Sequence, residues 1–458
     1  MHIQKVIIKN FRCFEHLEVN LDPDINIFVG NNGSGKSALL DGIAAALSVS
    51  YVNPDIIYQT RENPLISWEL KYNPKDIKSF SFAANLIFIN QDFPAKKYND
   101  KIESLNDDEI EKATEFTVLN TDFLECKIVY KKNLDHPEYI DVSSRFTWPI
   151  KHTSNNLTNK PKSELSVIAY YQGDRNIKNI NNIDVISNQS FNRLDGFKNC
   201  LNASSNFTDL ANWFFVREYE ELREGKRQGN INFELPDLKQ IRNAISTIIA
   251  PNARIYFSGA TSAKLMVEWT METGEKRELL LSQLSAGYRN MLALVMDFAR
   301  RLAQANPDME NPLAAEAILM IDELDLHLHP TWQQKIIPDL KKVFPNTQII
   351  ATTHSPEVVT TVQQNQVKIL EDYQIKECPS PTKGMKSSDI VRYVLGLSDL
   401  RPDTEESKTL TRLFEAIDNG QLEEAKRLRK ELQDWESFDP DMTRADMQIR
   451  RLERRNAV

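Results

Sequence analysis

Gly30-Asn31-Asn32-Gly33-Ser34-Gly35-Lys36-Ser37 is the stretch that decides the fold, because it satisfies G-x-x-x-x-G-K-[ST] at every position. The apolar run Ile25-Asn26-Ile27-Phe28-Val29 before it reads as a buried strand. Ala38 to Val49 after it reads as a helix buried over most of its surface. The residue types follow from phosphate chemistry. Glycines permit turns at positive φ that aim successive backbone N–H groups at phosphate oxygens. The following helix N-terminus adds the positive end of its dipole. In this pattern Lys36 neutralises the β and γ phosphates and the Ser37 hydroxyl ligates Mg²⁺, so the expected ligands are ATP and Mg²⁺. The chain has only 14 glycines in 458 residues, about half the usual share of roughly 7%. Three of them are spent on this loop.

The length predicts two to three compact units, and 41% hydrophobic with 26% charged residues is a globular composition. No apolar run approaches the roughly 18 residues of a membrane span, and Met1-His2-Ile3-Gln4-Lys5 does not open a signal peptide. Cys13, Cys126, Cys200 and Cys378 form neither a disulfide framework nor a CxxC pair. The expectation is a reduced, cytoplasmic protein. A net charge of −9 argues against strong non-specific DNA binding by the chain as a whole but leaves room for a local basic surface.

Working outward, residues 2–9 and the run Leu17, Val19, Leu21 alternate like strands. From about 50 to 165 strands mix with polar loops, Phe116–Tyr130 and Tyr139–Trp148 being the better strand candidates and Asn99–Ala113 a charged surface stretch. Ser166–Tyr171 reads as a buried strand leading into an Asn-rich loop, and a helical segment containing Trp213, Phe214 and Phe215 reaches roughly Ile249. Three strands are expected at Arg254–Phe257, Lys264–Trp269 and Arg277–Leu281. A helix follows over Gly287–Ala305, then a buried strand at Ala317–Ile321, a helix at Trp332–Val343 and a buried strand at Gln348–Thr352. The expected organisation is 1–176, a first lobe with the phosphate loop and a β-rich insertion; 177–250, a helical insertion; 251–375, a second lobe; and 385–458, a charged helical docking region.

Asp322-Glu323 ends the apolar strand. Asp322 at the tip suits a metal, directly or through water, and Glu323 suits polarisation of an attacking water. His354, in Thr352-Thr353-His354-Ser355, follows the next apolar strand, where an imidazole can reach a γ-phosphate. Ser285 and Gly287 open a helix and suit an anion, although a Ser there is also an ordinary N-cap. His327 and His329 lack the further ligands of a tetrahedral site and read as loop residues.

Taken in order, the phosphate loop, Leu284-Ser285-Ala286-Gly287, the strand ending Asp322-Glu323 and Thr352-Thr353-His354-Ser355 resemble the ABC-type ATPases. The resemblance is to their SMC/RecF/OLD-like branch, in which Lys-Asn-Phe-Arg precedes the phosphate loop, here Lys9-Asn10-Phe11-Arg12. It covers residues 1–50, 166–176 and 251–370. It implies an α/β fold, an ABC-type P-loop ATPase head with a mixed sheet, an antiparallel β-subdomain and a helical insertion, plus a C-terminal helical region. It also implies a head-to-tail homodimer sandwiching ATP, in which Ser285 and Gly287 of one subunit complete the site bearing Lys36 of the other. By the same resemblance Glu323 and His354 are catalytic and Arg12 touches the nucleotide. The metal-contacting glutamine is Gln172, which ends the Tyr170-Tyr171 strand, or Gln91, which follows Ile87–Ile89.

The string Ile321-Asp322-Glu323-Leu324-Asp325-Leu326-His327-Leu328-His329-Pro330-Thr331-Trp332-Gln333, together with Phe344-Pro345-Asn346, Ile417–Ala425 and Ile449–Glu453, is similar to stand-alone prokaryotic ATPases of antiviral defence operons. The resemblance is to the ATPase subunits of Septu-type systems, which act with an HNH nuclease, with those of PARIS-type systems, which hold a Toprim effector, as near relatives. It implies a partner nuclease, assembly beyond the dimer, and nucleic acid reached through the complex.

Other classes fit less well. A transporter ATPase would not need the long helical tail, and a chromosome-structuring or break-repair ATPase would show sustained heptads, absent between Ser37 and Leu284, while a RecF-like DNA-repair ATPase stays open as an alternative. A self-contained nuclease would need a metal-binding Toprim domain after His354, where no acid-x-acid motif sits on a convincing strand. At the C-terminus, Leu410, Leu413, Phe414 and Ile417 form one apolar stripe and Leu422, Ala425, Leu428, Leu432 and Trp435 another. Arg444, Arg450, Arg451, Arg454 and Arg455 make the end locally basic.

Overall fold

A computed structural model describes residues 2–51, 65–71, 123–132, 140–143, 165–173, 193–197, 199–201, 207–249, 253–258, 264–270, 273–397, 400–435 and 439–456. Gln91, the Asn-rich loop after Gly173 and Asn99–Ala113 lie outside these residues. The chain divides into two compact units, Met1–Ile390 and Val391–Val458.

The first unit is organised by its sheets. The strands are β1 (His2–Phe11), β2 (Phe14–Asn20), β3 (Ile25–Val29), β4 (Leu65–Lys71), β5 (Phe123–Lys132), β6 (Ile140–Ser143), β7 (Val167–Tyr171), β8 (Arg254–Ser258), β9 (Lys264–Thr270), β10 (Lys276–Leu280), β11 (Ala317–Ile321), β12 (Thr347–Thr352), β13 (Val367–Glu371) and β14 (Gln374–Glu377). A six-stranded sheet runs β14-β13-β3-β12-β11-β7. All neighbours in it are parallel except β14, which pairs antiparallel with β13 at the edge. β3, β7, β11 and β12 are buried at every residue, as strands covered on both faces of a parallel sheet must be. Separate antiparallel sheets run β2-β1-β4-β5-β6 and β10-β9-β8.

Helices α1 (Lys36–Tyr51), α2 (Phe207–Gln228), α3 (Pro236–Ile248), α4 (Ala286–Ala305) and α5 (Ile336–Val343) complete this unit together with short turns. Successive residues of a strand point to opposite faces, and β7 uses this to anchor two helices. The Tyr170 hydroxyl donates to Asp41 of α1 at 2.9 Å, and the Tyr171 hydroxyl donates to Asp297 of α4 at 2.8 Å. Gln348 stitches the main sheet to β1, accepting from the Ile3 N–H at 2.7 Å and donating to the Ile3 carbonyl at 2.8 Å.

Three expectations change against these elements. The helical segment reaching Ile249 is two helices, because Gly229 takes φ +66° and Pro236 restarts the chain at the first turn of α3. Glu221 clamps the pair, accepting from Arg242 at 2.7 and 2.9 Å. The Trp332–Val343 helix is a short turn at Pro330–Gln333 followed by α5. β13 and β14, which the sequence reading omits, extend the sheet beyond β3. Among the described residues no helix is long and apolar enough to cross a membrane.

The second unit is helical: α6 (Glu405–Asp418), α7 (Leu422–Glu431) and α8 (Pro440–Asn456). Leu410, Leu413, Ile417, Ala425, Leu428 and Leu432 pack with Met442, Ala445 and Ile449 in one core. The two stripes therefore cover each other and α8 instead of facing outward.

α4 is buried along most of its length and carries charge inside. Asp297 accepts from Arg300 at 2.6 Å and from Arg301 at 2.7 Å, and Arg301 also donates to the Gly196 carbonyl at 2.9 Å. Burial acts to raise the Asp297 pKa, yet Arg301 and Arg300 outweigh it and hold the carboxyl below its usual range. Removing one member of such a set leaves buried charge uncompensated. Asp297→Ala is expected to lower the stability of the first unit by about 3–5 kcal/mol in urea unfolding. Because the folded pKa is depressed, the difference from wild type should be constant above about pH 5 and shrink from about pH 4 downward, as the carboxyl becomes protonated.

Candidate functional site

Parallel strands put their carboxyl ends at one edge, and ligands of open α/β sheets bind there. The segments following β3, β7, β11 and β12 all leave the sheet at that edge: Gly30–Ser37, Gln172-Gly173, Asp322-Glu323 and Thr353-His354.

The loop after β3 is built around two close approaches. A Cβ on Gly30 would lie 2.2 Å from the Leu370 carbonyl oxygen of β13, and one on Gly35, at φ +102°, would lie 2.8 Å from the Phe14 ring. Glycine is required at both. Gly33, at φ +79°, has nothing within 4 Å of such a Cβ and faces open space. Asn31, Asn32, Gly33 and Ser37 are exposed. The Ser34 hydroxyl is buried without a hydrogen-bond partner.

Lys36 is buried and its ammonium donates to the Gly30 and Asn31 carbonyls at 2.8 and 2.9 Å. Burial lowers its pKa, and Asp322, Glu323 and Asp325 oppose that shift with their negative charge. The loop lysine and the acids after β11 thus share one electrostatic environment.

The acids are held by the end of β12. The Thr352 hydroxyl accepts from the Glu323 N–H at 2.8 Å and donates to the Asp322 carboxylate at 2.5 Å. The Leu324 N–H donates to the Thr352 carbonyl at 2.9 Å, and the Asp322 N–H donates to the Tyr171 carbonyl at 2.9 Å. Glu323 adopts φ +49°, a conformation that L-residues rarely take and that surrounding bonds must enforce. Its carboxylate lies against Gly173, where a Cβ would approach it to 3.2 Å. The Thr353 hydroxyl donates to Asp325, and the His354 N–H donates to the same carboxylate at 3.2 Å. β12 itself ends at Thr352, so His354 lies two residues beyond it, exposed.

Gln172 follows Tyr171, whose strand partner is Ile321, and this places it beside Asp322. Arg12, at φ +50° in the β1–β2 turn, pairs with Asp41 of α1. Burial raises the Asp41 pKa while Arg12 and Tyr170 pull it down. Ser285 caps α4 and is exposed, and a Cβ on Gly287 would lie 2.2 Å from the His327 carbonyl. Among the described residues no hydrogen bond joins Ser285 or Gly287 to Gly30–Ser37. Gly287 and Tyr288 sit instead against the 327–332 segment, where the Tyr288 and Trp332 rings lie 4.3 Å apart. His327 takes φ +62°, and His329 caps the turn at Pro330 through Thr331.

Sequence reading missed Thr352, Thr353, Asp325 and Gly173. The available signal was a pair of threonines directly after Ile349-Ile350-Ala351, since hydroxyls beside a buried apolar run need partners.

The residues present fit a polyphosphate: a glycine-built cradle, an unpartnered Ser34 hydroxyl, an exposed Ser37 and a buried lysine whose ammonium a phosphate would favour. Ser37, Asp322 and Gln172 are oxygen donors of the kind that suit Mg²⁺.

Residues 1–359 match the family model described as AAA ATPase domain. "Retron Vc95 probable ATPase" of Vibrio cholerae serotype O1 biovar El Tor is 26% identical over 479 residues, covering 94% of this chain and 86% of that protein. "Septu protein PtuA" of Bacillus thuringiensis is 31% identical over 208 residues, 43% of this chain and 50% of that protein. Among solved structures, the Smc head bound to the C-winged helix domain of ScpA aligns with a TM-score of 0.42 at 14% identity, over 82% of this chain and 97% of that one.

Thr352→Val keeps the side-chain shape but leaves the Glu323 N–H unpaired, at a cost of about 1–3 kcal/mol. If that cost falls on the acidic turn, ATP turnover should drop roughly 10- to 100-fold with ATP binding retained, and Thr352→Ser should restore it. Steady-state turnover beside equilibrium binding checks this.

Proposed function

The chain belongs to the AAA ATPase domain family and is an ATPase, and from that premise we propose that it is the ATP-hydrolysing subunit of a prokaryotic antiviral defence complex that controls a partner nuclease. The observation that carries the catalytic part is the convergence, at one sheet edge, of a buried Lys36 with Asp322, Glu323 and Asp325. Lys36 neutralises the terminal phosphates, and the loop amides and Ser34 bind their oxygens. Ser37, Asp322 and Gln172 would hold Mg²⁺, which would neutralise charge on the phosphates. Glu323, turned out of the strand direction by its left-handed backbone, accepts the proton of the attacking water. His354 orients the γ-phosphate from the adjoining loop. Arg12 contacts the nucleotide from the β1–β2 turn while its guanidinium engages Asp41, one helical turn beyond Ser37.

Ser285, exposed at the start of α4, and Gly287 behind it serve the nucleotide of a second copy in a head-to-tail dimer. The likeness to a Septu protein supports a defence role, and the resemblance of the 321–333 string to Septu-type ATPase subunits makes an HNH nuclease the proposed partner. A second reading is favoured by the likeness to a retron ATPase over nearly the whole chain: the partner is another component of a retron. Co-expression with each neighbouring gene product and mass measurement of the complex separates the two. Co-purification with an HNH protein supports the first, and co-purification with a retron component alone supports the second.

Lys36→Ala should abolish ATP binding in a fluorescent-nucleotide titration. Glu323→Gln should retain binding and slow hydrolysis by ~10²–10⁴-fold. Wild-type turnover in purified Glu323→Gln protein would remove Glu323 from the mechanism. For the dimer, mixing Ser285→Arg with Lys36→Ala should recover part of the ATPase activity that each lacks alone. No recovery despite subunit exchange would argue against shared sites.

A further inference from the structure

The last helix presents a surface that ATP chemistry does not use. At about 100° per residue, Arg444, Met447, Arg450, Arg451, Arg454 and Arg455 fall within roughly 140° of the circumference of α8, and all are exposed. The opposite side, Met442, Ala445, Ile449 and Leu452, is packed in the core of the second unit. The acids of α8 do not neutralise this face, because they are turned to cations from elsewhere. Asp441 accepts from Arg401 at 2.7 Å, Asp446 takes both bonds of Arg429 at 2.7 and 2.9 Å, and Glu453 pairs with Lys426 at 2.8 Å. Arg444 lies 4.9 Å over the Phe414 ring and 3.9 Å from Asp441. Among the described residues no ion pair engages Arg450, Arg451, Arg454 or Arg455.

We infer that this arginine face of α8 binds the phosphate backbone of a nucleic-acid strand. Three features select that partner. Guanidinium is the cation suited to bidentate phosphate contact and is always charged, and every cation on this face is arginine. From Arg444 to Arg455 the helix rises about 16 Å, the axial length of roughly five nucleotides of one strand. Apart from Met447 the face carries no large exposed apolar side chain. Protein interfaces deplete charge at an apolar centre, whereas nucleic-acid interfaces are polar and strongly positive. A membrane surface is disfavoured by the same geometry, since an interfacial helix inserts its apolar face and here that face is occupied by α6 and α7. The acidic character of the whole chain, −9, makes the binding local to this face.

Fluorescence anisotropy of the full-length protein tests this, using a labelled single strand and a labelled duplex of about 20 nucleotides across about 50–200 mM salt. The wild type should bind, with affinity falling steeply as salt rises. A protein carrying Arg450→Gln, Arg451→Gln, Arg454→Gln and Arg455→Gln together should bind at least tenfold more weakly, and its salt slope should fall by about one for each phosphate left without its arginine. The four Arg→Lys changes keep the charge and should keep most of the slope, which distinguishes removal of charge from unfolding. A melting transition of the glutamine protein like that of wild type shows that the α6–α8 core, which none of these residues enters, is intact. Three results would overturn the proposal: no binding by the wild type, unchanged affinity and slope in the glutamine protein, or equal binding of wild type to anionic phospholipid vesicles. Loss of a co-purifying acidic protein in the glutamine protein, with nucleic-acid binding unchanged, would assign the face to that protein instead.

Discussion

A buried ammonium needs anions around it, and Lys36 has three. Burial lowers its pKa, and Asp322, Glu323 and Asp325 counter that loss from the turn two strands away in the sheet order. Nothing local to the Gly30–Ser37 loop could supply those charges. They are in place because β3, β12 and β11 are parallel neighbours in a fixed register, Ile350 opposite both Asn26 and Met320. A slip of one residue would send the alternating side chains to the wrong faces and leave Lys36 with its loop carbonyls but without the opposing negative charge. The sheet order and the two threonines that hold Asp322 and Asp325 keep that arrangement in place.

The same economy governs the polar groups around the site. Buried hydroxyls and amides are costly unless bonded, and here each joins two elements. Thr352 fastens both acids of β11 to β12, Gln348 fastens the main sheet to β1, and adjacent tyrosines on β7 fasten α1 and α4. Glu323 can then hold a left-handed backbone, because its N–H and the next N–H both end on Thr352. The strained residue is the one whose carboxylate must leave the strand direction. A local backbone cost is thus exchanged for a carboxylate aimed away from Asp322, and the surrounding bonds make the exchange stable.

How much of this was legible in the sequence depends on which interactions are local. The phosphate loop is a local device: an apolar strand, glycines at turn positions and a helix start, all within a short span, and the described loop has that form. β11 is a continuous apolar run and β12 carries the shorter run Ile349-Ile350-Ala351, and both were equally plain. β13 and β14 were not, because Val367-Lys368-Ile369-Leu370-Glu371 and Gln374-Ile375-Lys376-Glu377 mix polar residues into short strands. Yet the Leu370 carbonyl is what forbids a side chain at Gly30. The break between α2 and α3 was written in Gly229 and Pro236 but was obscured by strong helix signals on both sides. Which residues Thr352 holds could not be read from its own strand, since its hydroxyl acts on residues about thirty positions upstream brought near by the sheet.

The second unit shows the complementary case, in which the stripes were legible and their meaning was not. An amphipathic helix in a sequence announces an apolar face without saying whether that face meets its own chain or another. Here α6, α7 and α8 bury their stripes on one another, so the apolar residues explain why the unit folds and leave little apolar surface for a partner. The charges then carry the information about what lies outside. Lys426 and Arg429 pair with Glu453 and Asp446 of α8 away from the arginine face, and a helix with both signs in its sequence keeps one sign on that face. Sequence net charge cannot reveal such sorting, because it depends on which pairs the packing closes. An acidic chain can in this way keep one strongly basic helix, which no count of its residues would disclose.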